Sequence, residues 1–334
     1  MTAEPPSLSP PTNPNESVES ARLAPSRPTP RPNPLATAGL DRVSDQRQKQ
    51  EWVAAQWASP EARVQLQWRG TYAIVGDRSV SVSPRDVAGL RNDVMGDTAS
   101  TSILLGLLGG VPHFGLDVST LEREDVDALV GPDAVFMSLR DGAGVLHADD
   151  SNLLATTSGI TTWHAKHRFC GVCGSPTEAR AAGHERHCST CGTTHFPRTD
   201  PAVIMLVTDG DLAVLGRQKI WPVGMFSTLA GFVEPGESLE DAVVREVFEE
   251  VGLRCDGVTY SSSQPWPFPQ SLMVGFHATA ITTDLAVHPT ELDDARWFLR
   301  ADLDESRRLG RRGYPIVPPP MTIARRLLDE WLDD

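Results

Sequence analysis

The sequence predicts an α/β fold: a mixed sheet between helices, preceded by a small cysteine-rich module and by an α+β region. Strand-like runs alternate with two helical segments over residues 198–334, an order typical of a sheet with helices on its faces. Four of the five cysteines stand as two closely spaced pairs just before that stretch. Short and alternating apolar runs over residues 41–160 predict strands, and a helical segment follows them.

Length and charge limit the classes of protein to consider. A chain of 334 residues has room for two domains and a buried core. No apolar run approaches the roughly 18 residues of a membrane span, and the first residues carry no charged-then-apolar signal, so we expect a cytoplasmic protein. The net charge of −14 argues against tight non-specific binding to nucleic acid, because such binding depends on neutralising phosphates.

The region before the cysteines divides into two parts. Residues 1–40 are rich in Pro, Ser, Thr and Asn and poor in large apolar side chains, which predicts a disordered tail. Residues 41–160 form a predicted N-terminal domain. Its expected strands are TYAIVG, SVSVS, TSILLGLLGG and PDAVFMSLR, and the run that begins at Asp149 is an expected helix.

Residues 165–197 carry the four paired cysteines, and fourteen residues separate the pairs. Four thiolates form the tetrahedral shell that a structural zinc ion prefers. A disulfide is disfavoured in a reducing compartment, and redox chemistry needs only one pair. Cys255 has no partner and is expected to pack as a small apolar residue. The predicted zinc ligands are Cys170, Cys173, Cys188 and Cys191; the histidines that could replace a thiolate are His167, His184, His187 and His195.

Residues 198–334 form the predicted sheet-and-helix domain. PAVIMLVTDG and DLAVLGRQ, joined at Asp209-Gly210, predict a hairpin. STLAGFVE, SLMVGFHATAI and ARWFLR predict further strands, and MTIARRLLDEWL predicts a closing helix. Another helix begins at Ser238, a good N-cap, and ends before Gly252, which suits the left-handed position after a helix.

Three glutamates lie on one face of the helix that follows Ser238. Glu246, Glu249 and Glu250 are spaced i, i+3 and i+4, so their carboxylates project together. Like charges in such a group repel one another, and a divalent cation with a preference for oxygen ligands resolves the conflict. For these three residues alone, an acidic surface helix is the simpler alternative.

The residues around the three glutamates favour a metal site. The full pattern is G-x5-E-x7-R-E-V-x-E-E-x-G-L, with Gly231, Glu237, Arg245 and Gly252 in place. It resembles the Nudix box of hydrolases that act on nucleoside diphosphates linked to another moiety. The resemblance implies a mixed sheet sandwiched by helices and a catalytic loop-and-helix unit.

The resemblance also implies a role for each carboxylate. Glu246, Glu249 and Glu250 would bind Mg²⁺ or Mn²⁺, and Glu250 or Glu249 would handle the proton of the attacking water. Arg245 and Glu237 would orient the box without touching the metal. Glu291 matches a downstream glutamate that completes the metal site in relatives; the alternative is an ordinary surface glutamate.

A proline-rich run follows the box. In Ser263–Ser271, SQPWPFPQS, three alternating prolines stiffen the backbone and fix Trp266 and Phe268. These rings can form a wall against which a flat ring stacks. A plain proline-rich turn or a polyproline ligand for another protein remains open from these residues alone.

Together with the Nudix box and the cysteine module, SQPWPFPQS resembles the array of the NADH pyrophosphatase branch of Nudix hydrolases. That resemblance implies hydrolysis of NAD(H) to nicotinamide mononucleotide and AMP, removal of an NAD cap from the 5′ end of RNA, and a homodimer whose N-terminal domain covers the substrate. The substrate-binding residues it implies are Phe196, Phe232, Gln264, Pro265, Trp266, Pro267, Phe268, Pro269, Gln270, Ser271 and Ala324.

Two other classes of function stay open. One is a Nudix hydrolase of another nucleoside diphosphate derivative, such as ADP-ribose or a dinucleoside polyphosphate. The other is a non-catalytic NAD sensor, which would be free to lose box glutamates, whereas this chain keeps them all. An arginine run near the C-terminus could contact RNA phosphates or form a solvated face: Arg307, Arg308, Arg311 and Arg312.

Overall fold

The computed structural model describes residues 33–36, 39–88 and 102–334. Most of the predicted disordered tail, residues 1–40, lies outside the described residues. Residues 33–36 are described, and for them the prediction is wrong. Leu35 is fully buried, and the Asn33 amide donates hydrogen bonds to Ser262 Oγ and to the Ser263 carbonyl at 3.1 and 2.8 Å. Leu35 and Asn33 thus attach this proline-rich segment to the fold, the first by apolar burial and the second by hydrogen bonds.

The described part of residues 39–166 contains two small sheets with helices. Its elements are β1 (Leu40–Asp41), α1 (Gln50–Ala58), β2 (Arg63–Gln67), β3 (Thr71–Val75), β4 (Arg78–Ser79), β5 (Ser81–Val82), β6 (Ile103–Leu108), β7 (Val111–Asp117), α2 (Arg123–Val130), β8 (Val135–Ser138), α3 (Leu139–Gly142) and α4 (Ala148–Lys166). One sheet has the order β1-β6-β7-β2-β5, and the other has the order β4-β3-β8. Strands β2 and β7 are parallel, and the other neighbours are antiparallel.

The expected strands and helix of this region are present with one difference. SVSVS is not a single strand: it is divided between β4 and β5, which belong to different sheets. The division follows from Asp150 on α4. Its carboxylate accepts a hydrogen bond from the Ser79 backbone NH at 2.8 Å and forms an ion pair with Arg78 at 2.9 Å. This buried carboxylate ties the first half of the run to the helix.

A three-stranded sheet carries the cysteines. Its strands are β9 (Glu178–Arg180), β10 (Glu185–His187) and β11 (Thr194–His195), in the order β11-β10-β9. Arg186 on β10 is fully buried and donates hydrogen bonds to Thr177 Oγ1, the Thr177 carbonyl and His164 Nδ1 at 2.7, 2.7 and 2.9 Å. Because His164 Nδ1 accepts from an arginine, its Nε2 carries the proton and donates to the Gly183 carbonyl at 2.8 Å. Arg186 and His164 therefore fasten the cysteine module to α4.

The last part of the chain forms one larger sheet with three helices in the described residues. Its elements are β12 (Asp200–Asp209), β13 (Leu212–Arg217), β14 (Leu229–Phe232), α5 (Leu239–Val251), β15 (Cys255–Trp266), β16 (Ser271–Ala280), β17 (Asp294–Leu299), α6 (Arg300–Leu309) and α7 (Ile323–Asp333). The order is β15-β16-β12-β13-β17, and β14 pairs with the first half of β12. Strands β12 and β16 are parallel and the other pairs antiparallel, so the sheet is mixed, as predicted.

Helices cover both faces of this sheet. On one face α5 buries its apolar stripe, including Val243 and Val247, against Val203 and Val274, and Cys255 packs there as an apolar residue. On the other face α7 buries Leu327 and Leu328. The predicted α/β/α sandwich is confirmed. No helix in the described ranges combines the length and the apolar character needed to cross a bilayer.

Candidate active site and zinc module

Helix α5 presents the three predicted glutamates. Ser238 caps its N-terminus by accepting a hydrogen bond from the Asp241 backbone NH at 3.1 Å, and Gly252 ends it in the left-handed conformation, with φ of 72°. Glu246 and Glu250 are buried, whereas Glu249 is exposed. The first two carboxylates are therefore held inside the site, and the third stands at its rim.

Arg245 organises the loop that precedes the helix. Its guanidinium contacts both carboxylate oxygens of Glu237, at 2.6 and 3.0 Å, and donates to the Phe232 carbonyl at 2.9 Å. It also reaches Glu246 at 2.9 Å and Glu249 at 2.7 Å. A fork of this kind fixes strand, loop and helix relative to one another. The predicted Arg245–Glu237 pair is present, and it extends to two predicted metal ligands.

Gly231 allows Glu246 to lie directly against strand β14. A Cβ atom at position 231 would stand 1.9 Å from the carboxyl carbon of Glu246. No side chain fits in that space while Glu246 keeps its position. The glycine that opens the sequence pattern is thus required by a close approach to the carboxylate.

The environment of Glu246 and Glu250 favours their protonated forms. Burial, and then the charge of Glu246, raise the pKa of Glu250 to about 8. Burial also raises the pKa of Glu246, although hydrogen bonds from Arg245 oppose it. The charge of Glu291, an exposed glutamate, also raises both pKa values. Glu250 Oε2 is buried and has no hydrogen-bond partner among the described residues.

These features fit a hard divalent cation. A bound cation would give the buried Glu250 oxygen a partner and would reduce the repulsion between the carboxylates. The oxygens are nevertheless not gathered into a ligand shell: over the described ranges, only the four cysteines bring three or more potential ligand atoms together. Arg245 hydrogen-bonds one oxygen of Glu246 and one of Glu249.

The four predicted zinc ligands do converge. Their sulfur atoms all lie within 4.8 Å of one another, and Cys170 Sγ and Cys191 Sγ are 3.6 Å apart. The Thr193 hydroxyl and backbone NH lower the pKa of Cys191 to about 6, which favours the thiolate that zinc binds. His195 Nε2 lies 3.3 Å from Cys170 Sγ as a neighbour of the cluster. The sulfur set fits a structural zinc ion.

A cavity of about 290 Å³ lies beside Glu250. Ile204 and Met273 belong to its apolar wall, and Trp266 and Ala324 also line it. A second cavity, of about 370 Å³, is also lined by residues of the proline-rich run. Trp266 borders both cavities, so it is the side chain of the run best placed to meet a ligand.

The structure separates the roles of the proline-rich run. Gln264 and Trp266 line the first cavity, and Pro265, Pro267, Gln270 and Ser271 line the second along with Trp266. Residues 264–266 belong to β15 and residues 267–270 form a turn, so the run is the tip of a hairpin. Phe268 meets Trp266 edge to face at 5.0 Å and packs on the core that contains Leu35. Neither Phe268 nor Pro269 is among the described residues that line the two cavities.

Two other predicted substrate contacts lie outside both cavities. The side chains of Phe196 and Phe232 are 64 % and 60 % exposed, so within one chain they do not enclose a ligand. In the predicted arginine run, Arg307 forms ion pairs with Asp304, Asp329 and Asp333. Its charge is therefore already neutralised within the fold.

Sequence reasoning missed Arg140. It lies on α3, lines the first cavity, and places its guanidinium 5.5 Å from the Trp266 ring and 4.7 Å from the Phe268 ring. The sequence gives no sign of this, since 125 residues separate Arg140 from Trp266 and the contact arises only from tertiary packing.

Three family models match the chain in succession. They are the NADH pyrophosphatase-like rudimentary NUDIX domain over residues 47–163, the NADH pyrophosphatase zinc ribbon domain over residues 165–196, and the NUDIX domain over residues 198–318. The fold and the carboxylate helix thus define a Nudix hydrolase with a zinc ribbon.

Curated relatives refine that class. The NAD-capped RNA hydrolase NudC of Stutzerimonas stutzeri is 43 % identical over 223 residues, which are 67 % of this chain and 76 % of that protein. The protein of the same name from Mycobacterium bovis is 35 % identical over 306 residues, 89 % of this chain and 94 % of that protein. NUDT12 of Homo sapiens, also named an NAD-capped RNA hydrolase, is 41 % identical over 197 residues, 56 % of this chain but only 43 % of its own length. The chain belongs to the NADH pyrophosphatase branch of the Nudix hydrolases.

Proposed function

We propose that this protein hydrolyses the pyrophosphate of NAD(H) to nicotinamide mononucleotide and AMP, and removes the NAD cap from the 5′ end of RNA. The observation that carries the proposal is the position of Glu250. Its buried carboxylate, one oxygen of which has no hydrogen-bond partner in the part of the chain that the structure describes, lies at the wall of a cavity large enough for a flat ring. The names of the relatives from Stutzerimonas stutzeri and Mycobacterium bovis support this substrate.

The catalytic cation in this proposal is Mg²⁺ or Mn²⁺, and Glu246, Glu249, Glu250 and Glu291 are its ligands. When bound, it supplies charge neutralisation on the diphosphate and lowers the pKa of the attacking water. Arg245 contacts one oxygen of Glu246 and one of Glu249, so the second oxygen of each carboxylate can bind the cation while those contacts remain. Its bidentate contact with Glu237 can remain and keep the loop in place.

The chain's own groups supply the proton chemistry and the positioning. Glu250 or Glu249 accepts the proton of the attacking water, and a carboxylate whose pKa is raised by burial suits that task near neutral pH. Trp266 stacks on a ring in the first cavity, and Ala324 leaves room beside it. The other residues of 264–271 support that wall.

Phe196 and Phe232 enter the proposal as contacts made across a cytoplasmic homodimer. Both rings are largely exposed in one chain, as expected for rings that a second copy covers. Within each chain the proposed modules are a tail over residues 1–40, an N-terminal domain over 41–160, the zinc ribbon over 165–197 with one structural zinc ion, and the Nudix domain over 198–334.

Product analysis tests the function. The purified protein is incubated with NADH, ADP-ribose and a 5′-NAD-capped RNA, each with Mg²⁺ or Mn²⁺. We expect reduced nicotinamide mononucleotide plus AMP from NADH, and a 5′-monophosphate RNA from the capped RNA. Turnover of ADP-ribose alone would assign another nucleoside diphosphate derivative as substrate. Binding of NADH without turnover of any substrate, by folded and zinc-loaded protein, would indicate a sensor.

A further inference from the structure

The polar side chains that line the first cavity differ in whether the fold already uses their hydrogen-bonding groups. Gln264 lines it, but its amide donates to the Pro34 and Met321 carbonyls at 3.0 and 2.8 Å and accepts from the Ile323 backbone NH at 2.8 Å. These three bonds use both ends of the amide within the fold. Gln264 therefore shapes the cavity and does not recognise what enters it.

Thr228 is different. It lines the same cavity, only 5 % of its surface is exposed, and its hydroxyl has no hydrogen-bond partner in the described part of the chain. A buried hydroxyl without a partner destabilises a fold, and valine would fill the same volume without that cost. The hydroxyl is explained if a ligand provides the missing partner.

The surroundings of Thr228 indicate what that ligand group is. Ala230, two residues further along the chain, also lines the cavity, and its side chain is a single methyl group. The apolar side chains of Ile204, Met273 and Leu292 suit the faces of a flat ring. A threonine hydroxyl both donates and accepts, so it matches the amide or amine at the edge of such a ring.

We infer that Thr228 is a specificity-determining residue, whose hydroxyl hydrogen-bonds the exocyclic amide or amine of the dinucleotide ring that enters this cavity. The inference rests on the proposed function and adds the protein group, the Thr228 hydroxyl, that distinguishes one substrate ring from another. Either ring of NADH offers this chemistry: nicotinamide has a carboxamide, and adenine has an exocyclic amine.

Steady-state kinetics of Thr228→Val and Thr228→Ser with NADH test the inference. For Thr228→Val we expect the KM for NADH to rise about tenfold, roughly the factor associated with one buried hydrogen bond, and kcat to change less than about twofold. Thr228→Ser keeps the hydroxyl and should restore most of the KM. The thermal midpoint of ligand-free Thr228→Val should equal or exceed that of the wild type, which excludes a folding defect. Thr208→Val, on β12 and outside the described lining of this cavity, is the matched control and should leave KM unchanged.

Two further substrates identify the ring. ADP-ribose lacks nicotinamide, and nicotinamide hypoxanthine dinucleotide lacks the adenine amine; KM is measured for each, or the inhibition constant against NADH where turnover is absent. If Thr228→Val weakens NADH but not ADP-ribose, the hydroxyl binds the carboxamide. If it weakens NADH but not the hypoxanthine dinucleotide, the hydroxyl binds the adenine amine. Both results support the inference.

Other outcomes overturn it. An unchanged KM for NADH in an active Thr228→Val variant would show that the hydroxyl does not contact the substrate. An equal loss with all three substrates, carried by kcat, would place its effect at the reacting phosphates. If the wild type hydrolyses no dinucleotide, the proposed function fails by itself. The dissociation constants of NADH for the wild type and Thr228→Val, measured by calorimetry, then still decide the role of Thr228.

Discussion

At the residue scale, the site depends on how one arginine and one glycine hold the glutamates. Arg245 binds Glu237 through two hydrogen bonds and keeps Glu246 and Glu249 within reach, while Gly231 leaves the space that Glu246 occupies. The arginine stabilises the ionised form of Glu237, whose pKa it lowers to about 2. Burial acts in the opposite direction on Glu250. Neighbouring carboxylates therefore differ in proton affinity, a separation that assigns different tasks to similar groups.

Replacing Glu250 with Gln tests its proposed role. Because the change removes a ligand and a candidate base, we expect kcat for NADH to fall by about 10² or more while zinc content stays at one ion per chain. In zinc-loaded protein without Mg²⁺ or Mn²⁺, at pH 9, the variant should have a higher thermal midpoint than the wild type, since the folded state disfavours the charge that Glu250 carries there. Glu249→Gln, at the exposed position, is the control for stability and should show no such gain. Near-normal turnover of Glu250→Gln would remove Glu250 from the mechanism.

At the element scale, the boundaries of α5 and the existence of the hairpin β12–β13 could be predicted from sequence. The cap at Ser238, the left-handed Gly252 and the turn at Asp209-Gly210 are local features, and their residues impose the same conformation in the fold. The split of SVSVS and the burial of Leu35 could not be predicted. Both result from partners distant in sequence, such as Asp150 for the strand at Ser79.

The hydrogen bonds of His164 and Arg186 that join α4 to the cysteine module predict a pH dependence of the free energy of unfolding. Burial lowers the pKa of His164 to about 4, against about 6.5 in an unfolded chain. Below pH 6.5 the unfolded state therefore binds a proton that the folded state does not. The contribution of this histidine is complete above pH 6.5 and falls by up to about 1.4 kcal/mol per pH unit between pH 6.5 and pH 4.

Urea unfolding of the wild type and His164→Gln at pH 7, 6 and 5 measures that contribution. Glutamine can accept from Arg186 and donate to Gly183 but does not titrate, so the variant should lose less stability between pH 7 and pH 5 than the wild type. His288→Gln, at an exposed histidine, should keep the wild-type slope. Parallel pH profiles for the wild type and His164→Gln would contradict the assignment.

At the scale of the whole molecule, the order of the parts could be predicted, but the way in which the first part completes the site could not. The cysteine spacing and the Nudix pattern identify their own modules. The contact of Arg140 with the Trp266 and Phe268 rings joins the region before the cysteines to the Nudix domain, and no local pattern encodes it. The contacts of the exposed Phe196 and Phe232 could not be predicted from local patterns either, since the proposed contacts are made with another copy of the chain.

The proposed dimer predicts that activity depends on protein concentration. If Phe196 completes the partner's site, the specific activity with NADH should fall as light scattering or mass photometry shows the protein dissociating on dilution. Phe196→Ala should lower kcat/KM in the dimer, whereas Tyr260→Ala, another exposed ring, should not. A monomer with full activity would refute this arrangement.

Strand β14 gives two adjacent residues two separate tasks. Ala230 borders the ring-sized cavity, while Gly231 meets the carboxylate of Glu246 on helix α5. A substitution at one position alters the shape offered to a substrate, and a substitution at the next disturbs the charged centre. The side chain at position 230 can therefore change the shape of the pocket during evolution without displacing Glu246, whereas Glu250, which borders the same cavity, limits how far that change can go.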